Sequence, residues 1–238
     1  MAASGAGEDA YEIEQSLSFE RTDSAKLYRT PSSSGNRRIF TWSGWYKRKK
    51  FDESQMLWSA YGAQSNAGYM DFGMAGDAAG NEDCVGGGAW GSGGTNVKAS
   101  RYLRDPSAWY HIMFVSDTTL NTSTDRVKYY VNGVRETAIE SSPLTYPSQD
   151  YDYQNNYTGY VHVMGDAYYH VNSGTFRGIN GYLAEVHIID GTAKLPTDFG
   201  EFNETTGQWV PIEYEGDTAS YGTNGGYYKF ASGALGTD

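Results

Sequence analysis

The chain has 238 residues, with 18 basic against 29 acidic side chains, 30 Gly, 21 Tyr, six Pro and one Cys. Its formal charge of −11 repels phosphate backbones and argues against nucleic acid as a partner, and the single Cys84 excludes an intrachain disulfide framework. No stretch is apolar enough to span a bilayer, and Met1–Tyr11 lacks the basic and apolar regions of a secretory signal.

Residues 1–15 read as an arm, with Tyr11 and Ile13 as its only sizeable apolar side chains. Such a segment cannot order itself, so Tyr11 and Ile13 are expected to be pegs that anchor it on a neighbouring chain. Strand signals begin near Leu17–Phe19 and Lys26–Tyr28, and a turn follows at Pro31–Asn36. Ile39–Lys47 is a strong strand with Phe40, Trp42, Gly44 and Tyr46 on one face. Arg37, Arg38 and the run Lys47–Lys50 read as a solvated basic loop. Met56–Trp58 and Tyr69–Phe72 continue a meander, and the glycines at 86–88 and 91–94, around Trp90, read as loop or sheet edge.

Trp109–Asp117 is apolar on both faces, as in a strand at the middle of a sandwich, with a buried Trp109 and a core His111. Arg126–Val131 then alternates, with Val127, Tyr129 and Val131 expected in the core, before Asn132-Gly133. That dipeptide tolerates positive φ at both positions, as a two-residue hairpin turn requires. Residues 140–158 form a long, polar, tyrosine-rich connection, either functional or packed by its own side chains. Gly159–Gly165, Gly181–Ile189 and Tyr227–Phe230 complete the strands, and Pro196–Phe199 is the one short helix candidate. The expected class is all-β, a two-sheet antiparallel sandwich.

Several short segments occur in a telling order: Ser16–Phe19, Thr30–Ser33, Thr41–Trp45, Asp105–His111, Val131–Val134, Gly181–Val186, Asp190-Gly191 and Tyr221–Gly225. The set resembles the concanavalin A-like, laminin-G-type jelly rolls common in tailed phages, especially marine ones. The resemblance covers residues 16–238, which form one domain behind the arm, and implies a jelly roll of about a dozen strands. It further implies a virion structural protein, made in the host cytoplasm and placed on the particle surface as a capsid decoration or head fibre. The alternative is a receptor-binding lectin module of a tail fibre. Implied partners are other virion proteins, further copies of the chain and a host surface glycan. Where longer relatives continue past a segment like Ala234–Asp238, this sequence ends, which favours a single-module accessory protein.

No enzymatic role is expected. A retaining glycosidase needs two carboxyl groups roughly 5 Å apart, and the Glu-x-Asp-x-x-Glu spacing of laminarinase-like relatives does not occur. Glu185 shares a face with His187, but Asp190 falls on the other. His162, His170 and His187 lack metal-ligand spacing. Some laminin-G-like relatives hold calcium at the rim, and Asp71, Asp77, Asp150, Asp152 and Asp166 are loop oxygen donors. No calcium-loop motif contains them, so no cofactor is expected. The remaining chemistry is aromatic. Trp90, Tyr151, Tyr153, Tyr157, Tyr168 and Tyr169 offer flat faces and polar handles suited to a sugar or a protein interface, or to packing the loop on its own sheet.

Overall fold

Alternation of large apolar with small or polar side chains turns most of this chain into short antiparallel strands. The computed structural model describes residues 11–62, 69–75, 83–90, 95–139, 144–167 and 177–231, apart from the side chains of Tyr69, Ala75 and Trp90. The first strands are β1 (Leu17–Phe19), β2 (Leu27–Arg29), β3 (Ile39–Arg48), β4 (Gln55–Gly62), β5 (Tyr69–Ala75), β6 (Cys84–Trp90) and β7 (Thr95–Tyr102). There follow β8 (Tyr110–Asp117), β9 (Val127–Val131), β10 (Val134–Arg135), β11 (Tyr160–Met164), β12 (Gly181–Asp190), β13 (Gly200–Phe202), β14 (Trp209–Pro211) and β15 (Gly226–Tyr228). One sheet runs β1-β12-β3-β8-β9-β10, with β15 beside β1 on the free edge of β12; the other runs β2-β11-β4-β5-β6-β7. Strands β13 and β14 form a separate ribbon. This is the expected two-sheet jelly roll.

The core lies between the sheets. Phe40, Trp42 and Tyr46 of β3, Ile112 and Phe114 of β8, and Val127, Tyr129 and Val131 of β9 face Trp58, Met70, Phe72, Val85 and Val97. Phe72 stacks on Phe114 at 4.6 Å and meets Trp42 edge-on at 5.4 Å. The hairpin forms as read: Asn132 and Gly133 have φ of 48° and 76°, and Val131 pairs with Val134. Strand β8 is apolar on both faces because its sheet is covered twice. Its outer residues Met113 and Val115 join Ile189 and Phe199 in a second, smaller core. The covering segment starts with a 3-10 turn at Pro196–Asp198, where the short helix was expected.

Four expectations change. Gly86–Gly88 is neither loop nor edge but part of β6, an interior strand between β5 and β7. Glycine is needed there for close approach, since a Cβ on Gly87 would stand 2.2 Å from the Asp71 carbonyl oxygen. Strand β7, which no alternation announced, forms the edge beyond it. Trp109 precedes β8 and is half-buried. Within the basic run, Arg48 is buried in the sandwich, where its Nη2 meets Asp83 Oδ1 at 2.8 Å and its Nη1 donates to the Leu103 carbonyl.

Strand β12 carries a bulge. Ala184 pairs with Trp45 and His187 with Ser43, so Glu185 and Val186 both face Gly44, and Glu185 takes a φ of 47°. A Cβ on Gly44 would stand 2.9 Å from the Trp42 ring and 3.0 Å from Val186.

Two glycine substitutions test the packing of the covering ribbon. Gly207, at φ 68°, has nothing within 4 Å of an added Cβ. Gly207→Ala should therefore cost the left-handed penalty alone, about 1–2 kcal/mol. Gly133→Ala should cost more, because its methyl would stand 2.3 Å from a Trp209 ring carbon. Equal losses in denaturant unfolding would show that Trp209 does not pack on the hairpin.

Candidate binding cleft

The described part of the tyrosine-rich connection, residues 144–158, is packed onto the rest of the domain. Tyr153 is buried in the main core with its hydroxyl 2.8 Å from Thr95 Oγ1, and Tyr151 meets it edge-on at 5.1 Å. Arg37 Nε donates to the Tyr153 carbonyl, and the buried Asn156 donates to Asp190 and to the Asn36 carbonyl. Tyr157 alone of these keeps an exposed ring, edge-on to Tyr160 at 5.0 Å and beneath the Arg37 guanidinium at 4.4 Å. The Trp90 side chain, Tyr168 and Tyr169 lie outside the described residues. The structure therefore does not gather the six aromatics into one described surface.

The outer face of the β12 sheet holds a polar layer. The bulge turns Glu185 outward, where Tyr11 donates to its Oε2 at 2.7 Å and the Tyr227 hydroxyl lies 2.7 and 2.6 Å from its two oxygens. Burial and these partners push the Tyr11 hydroxyl up to about 12 and Tyr227 higher. Tyr11 thus packs on its own domain. His187 shares this face, as read: its Nδ1 lies 2.9 Å from the Tyr221 hydroxyl and its ring stacks on Tyr227 at 4.5 Å. His111 Nδ1 accepts from Trp209 Nε1, so its other nitrogen donates to Ser43 Oγ at 2.8 Å. Burial drives both histidines down to about 3 and keeps them neutral. Asp190 turns the other way and takes the backbone amides of Asn36 and Asn224.

The rim carboxylates are engaged elsewhere. Asp150 and Asp152 pair with Arg38, and Asp166 lies 3.9 Å from Lys26. Asp71 sits buried on β5, where burial pushes it up to about 6, and Asp77 lies outside the described residues. Among the described residues no group of three or more His, Cys, Asp or Glu is disposed to hold a metal.

Beside the bulge opens a cleft of about 300 Å³, lined by Ile13, Glu14, Gln15, Ser16, Trp45, Trp109, Ala184 and Pro211. Trp45 points outward from β3, on the face opposite Phe40 and Trp42, and its cross-strand partner Ala184 is small enough to leave space above the sheet. Trp109 faces the same space, 6.4 Å from the Tyr182 ring, over which Lys49 places its ammonium at 4.3 Å. The cleft offers the half-buried Trp109 and the little of Trp45 left uncovered, at 7% exposure, beside the polar Glu14, Gln15 and Ser16, a composition in which apolar surface can supply affinity and a few polar groups orientation. The sequence carried one signal for it. Trp45 is a large aromatic on the face of β3 that alternation directs away from the core.

A family model described as the concanavalin A-like lectin/glucanases superfamily matches residues 20–195. Among solved structures, a heptameric SAP-like pentraxin from Limulus polyphemus aligns with a TM-score of 0.50 at 16% identity, over 78% of this chain and 80% of that one. Domains LG4-5 of the mouse laminin α1 chain align with a TM-score of 0.48 at 12% identity, over 90% of this chain and 50% of that one. The CBM40 of a Ruminococcus gnavus IT-sialidase aligns with a TM-score of 0.41 at 14% identity, over 72% and 95%. The pentraxin likeness shows the fold alone. A comparison with curated protein sequences finds no match.

The neutral histidines have a measurable consequence. His187 is lowered from 6.5 to about 3, so in that window the unfolded chain binds a proton that the folded chain refuses. Its contribution to stability is complete above 6.5 and is lost as pH falls. His187→Gln should therefore flatten the dependence of unfolding free energy on pH by about 1.4 kcal/mol per pH unit there. An unchanged slope in denaturant titrations would show that His187 is charged in the fold.

Proposed function

Because this chain belongs to the concanavalin A-like lectin/glucanases superfamily, we propose that it is a non-catalytic carbohydrate-recognising module carried on the particle of a tailed phage. The observation that carries the recognition reading is the cleft walled by Trp45 and Trp109, whose indole faces suit the apolar face of a pyranose ring. The non-catalytic reading is supported by the state of the carboxylates. Both oxygens of Glu185 are taken by phenolic hydroxyls, and Asp190, which follows on the same strand, is turned away and held by backbone amides.

The virion placement is supported by the ordered motifs from Ser16–Phe19 to Tyr221–Gly225. A position as a tail-fibre receptor-binding module fits a sugar site directly. A capsid decoration or head fibre fits it as a surface that holds the particle near a glycan-bearing host. A density map of the particle separates the two, and absence of the chain from purified particles would overturn both.

A glycan array on the isolated protein tests recognition. Trp109→Ala should weaken the strongest interaction at least about tenfold, that is about 1.4 kcal/mol. An array with no binding would refute the recognition reading, and polysaccharide hydrolysis abolished by Glu185→Gln would refute the non-catalytic one.

A further inference from the structure

The wall of the cleft is a separate piece of chain. Residues 12–16 carry no regular structure, and four of them, Ile13–Ser16, line the cleft together with the two indoles. This stretch is fixed at both ends. On one side β1 pairs with β12 through Leu17 and Leu183, Ser18 and Tyr182, and Phe19 and Gly181. On the other, the Tyr11 hydroxyl donates to Glu185 at 2.7 Å. Tyr11 and Glu185 also line a space too small to admit water, which shares Trp45 and Pro211 with the cleft. The Tyr11 pin therefore sits directly beside the site.

We propose that residues 12–16 are a strap forming the outer wall of a pyranose site, and that Glu185 is a positioning residue that sets this wall by pinning Tyr11. The inference rests on the carbohydrate reading and deepens it. Glu185 touches no sugar. Its backbone conformation, forced by the bulge, aims its carboxylate out of the sheet, and that carboxylate holds the phenol from which the strap hangs. A hydrogen bond to a charged acceptor is among the stronger ones available. The ligand class follows from the lining, in which two indoles meet Glu14, Gln15 and Ser16. The Glu14 carboxylate and the net charge of −11 disfavour an acidic sugar, so the site takes a neutral pyranose.

Two single-atom deletions separate positioning from mere stability. Tyr11→Phe removes the pin. Tyr221→Phe removes a neighbouring hydroxyl of the same polar layer, the one on His187 Nδ1, rather than one on Glu185 or Tyr11, and it serves as the structural control. Binding is measured with methyl glucoside, methyl galactoside, methyl N-acetylglucosaminide and methyl glucuronide. In parallel, fluorine NMR of fluorotryptophan-labelled protein follows Trp45 and Trp109, assigned by replacing each with Phe. Tyr11→Phe should weaken the best neutral glycoside about tenfold and shift both resonances. Tyr221→Phe should leave affinity and both resonances unchanged, whatever it does to thermal stability. If the wild-type protein binds none of the glycosides, the carbohydrate reading fails, and the NMR comparison still decides whether Tyr11 sets the wall. A Tyr11→Phe variant with unaltered resonances overturns the strap. Tighter binding of the glucuronide than of the glucoside overturns the ligand class.

Discussion

One extra residue in β12 organises this molecule. Up to Ala184 the strand directs its odd-numbered residues inward, and beyond the bulge it directs Val186 and Ile188 inward instead. Without the insertion, Leu183 and Val186 would fall on opposite faces, because a strand alternates with period two. The bulge thus lets both halves of β12 feed the same core. Its local penalty is a left-handed glutamate, of order 1–2 kcal/mol, offset by charge-assisted hydrogen bonds to two phenols. Gly44 completes the arrangement by leaving room opposite the extra residue.

From that insertion follows the use of the outer face. Glu185, His187 and His111 would each be costly to bury alone. Here the Glu185 oxygens, His187 Nδ1 and both His111 nitrogens meet a hydroxyl or an indole, and the rings stack on Tyr227, Tyr221 and Trp209. The second core is therefore a mixed layer, apolar at Met113, Val115 and Ile189 and polar beside the bulge. The polar part is what gives the N-terminal segment something specific to bind.

Much of the architecture was legible from local chemistry. Val127, Tyr129 and Val131 alternate cleanly because one face of β9 is buried, and Asn132-Gly133 announces its turn by its tolerance of positive φ. The doubly apolar β8 declared that both faces of its sheet would be covered, though not that residues 196–221 would cover one. What stayed hidden depends on partners distant in sequence. Gly86–Gly88 reads as a breaker until one sees that backbone and side chains of neighbouring strands occupy the space where Gly86 and Gly87 lack a Cβ. Tyr153 reads as a surface tyrosine until Thr95 supplies a partner for its hydroxyl. Arg48 reads as solvated until Asp83 arrives from a different part of the chain. For the candidate site, Trp45 stood on the expected face, but residues 13–16, which line the cleft with it, look featureless, because they are held from outside by the β1 pairing and by one tyrosine hydroxyl.

The connectivity also predicts an order of folding. Strands β4 to β7 follow one another as a meander, so four of the six strands of one sheet are joined by contacts close in sequence. The other sheet cannot assemble this way, since β12 must find β3 and β1 far behind it and β15 ahead of it. Contacts of such long range bear their loop-closure entropy before any packing rewards it, and they slow folding. The β12 sheet is therefore incomplete until residue 190 has been made, and the strap, although translated before β1, finds its place only once Glu185 is there to hold Tyr11.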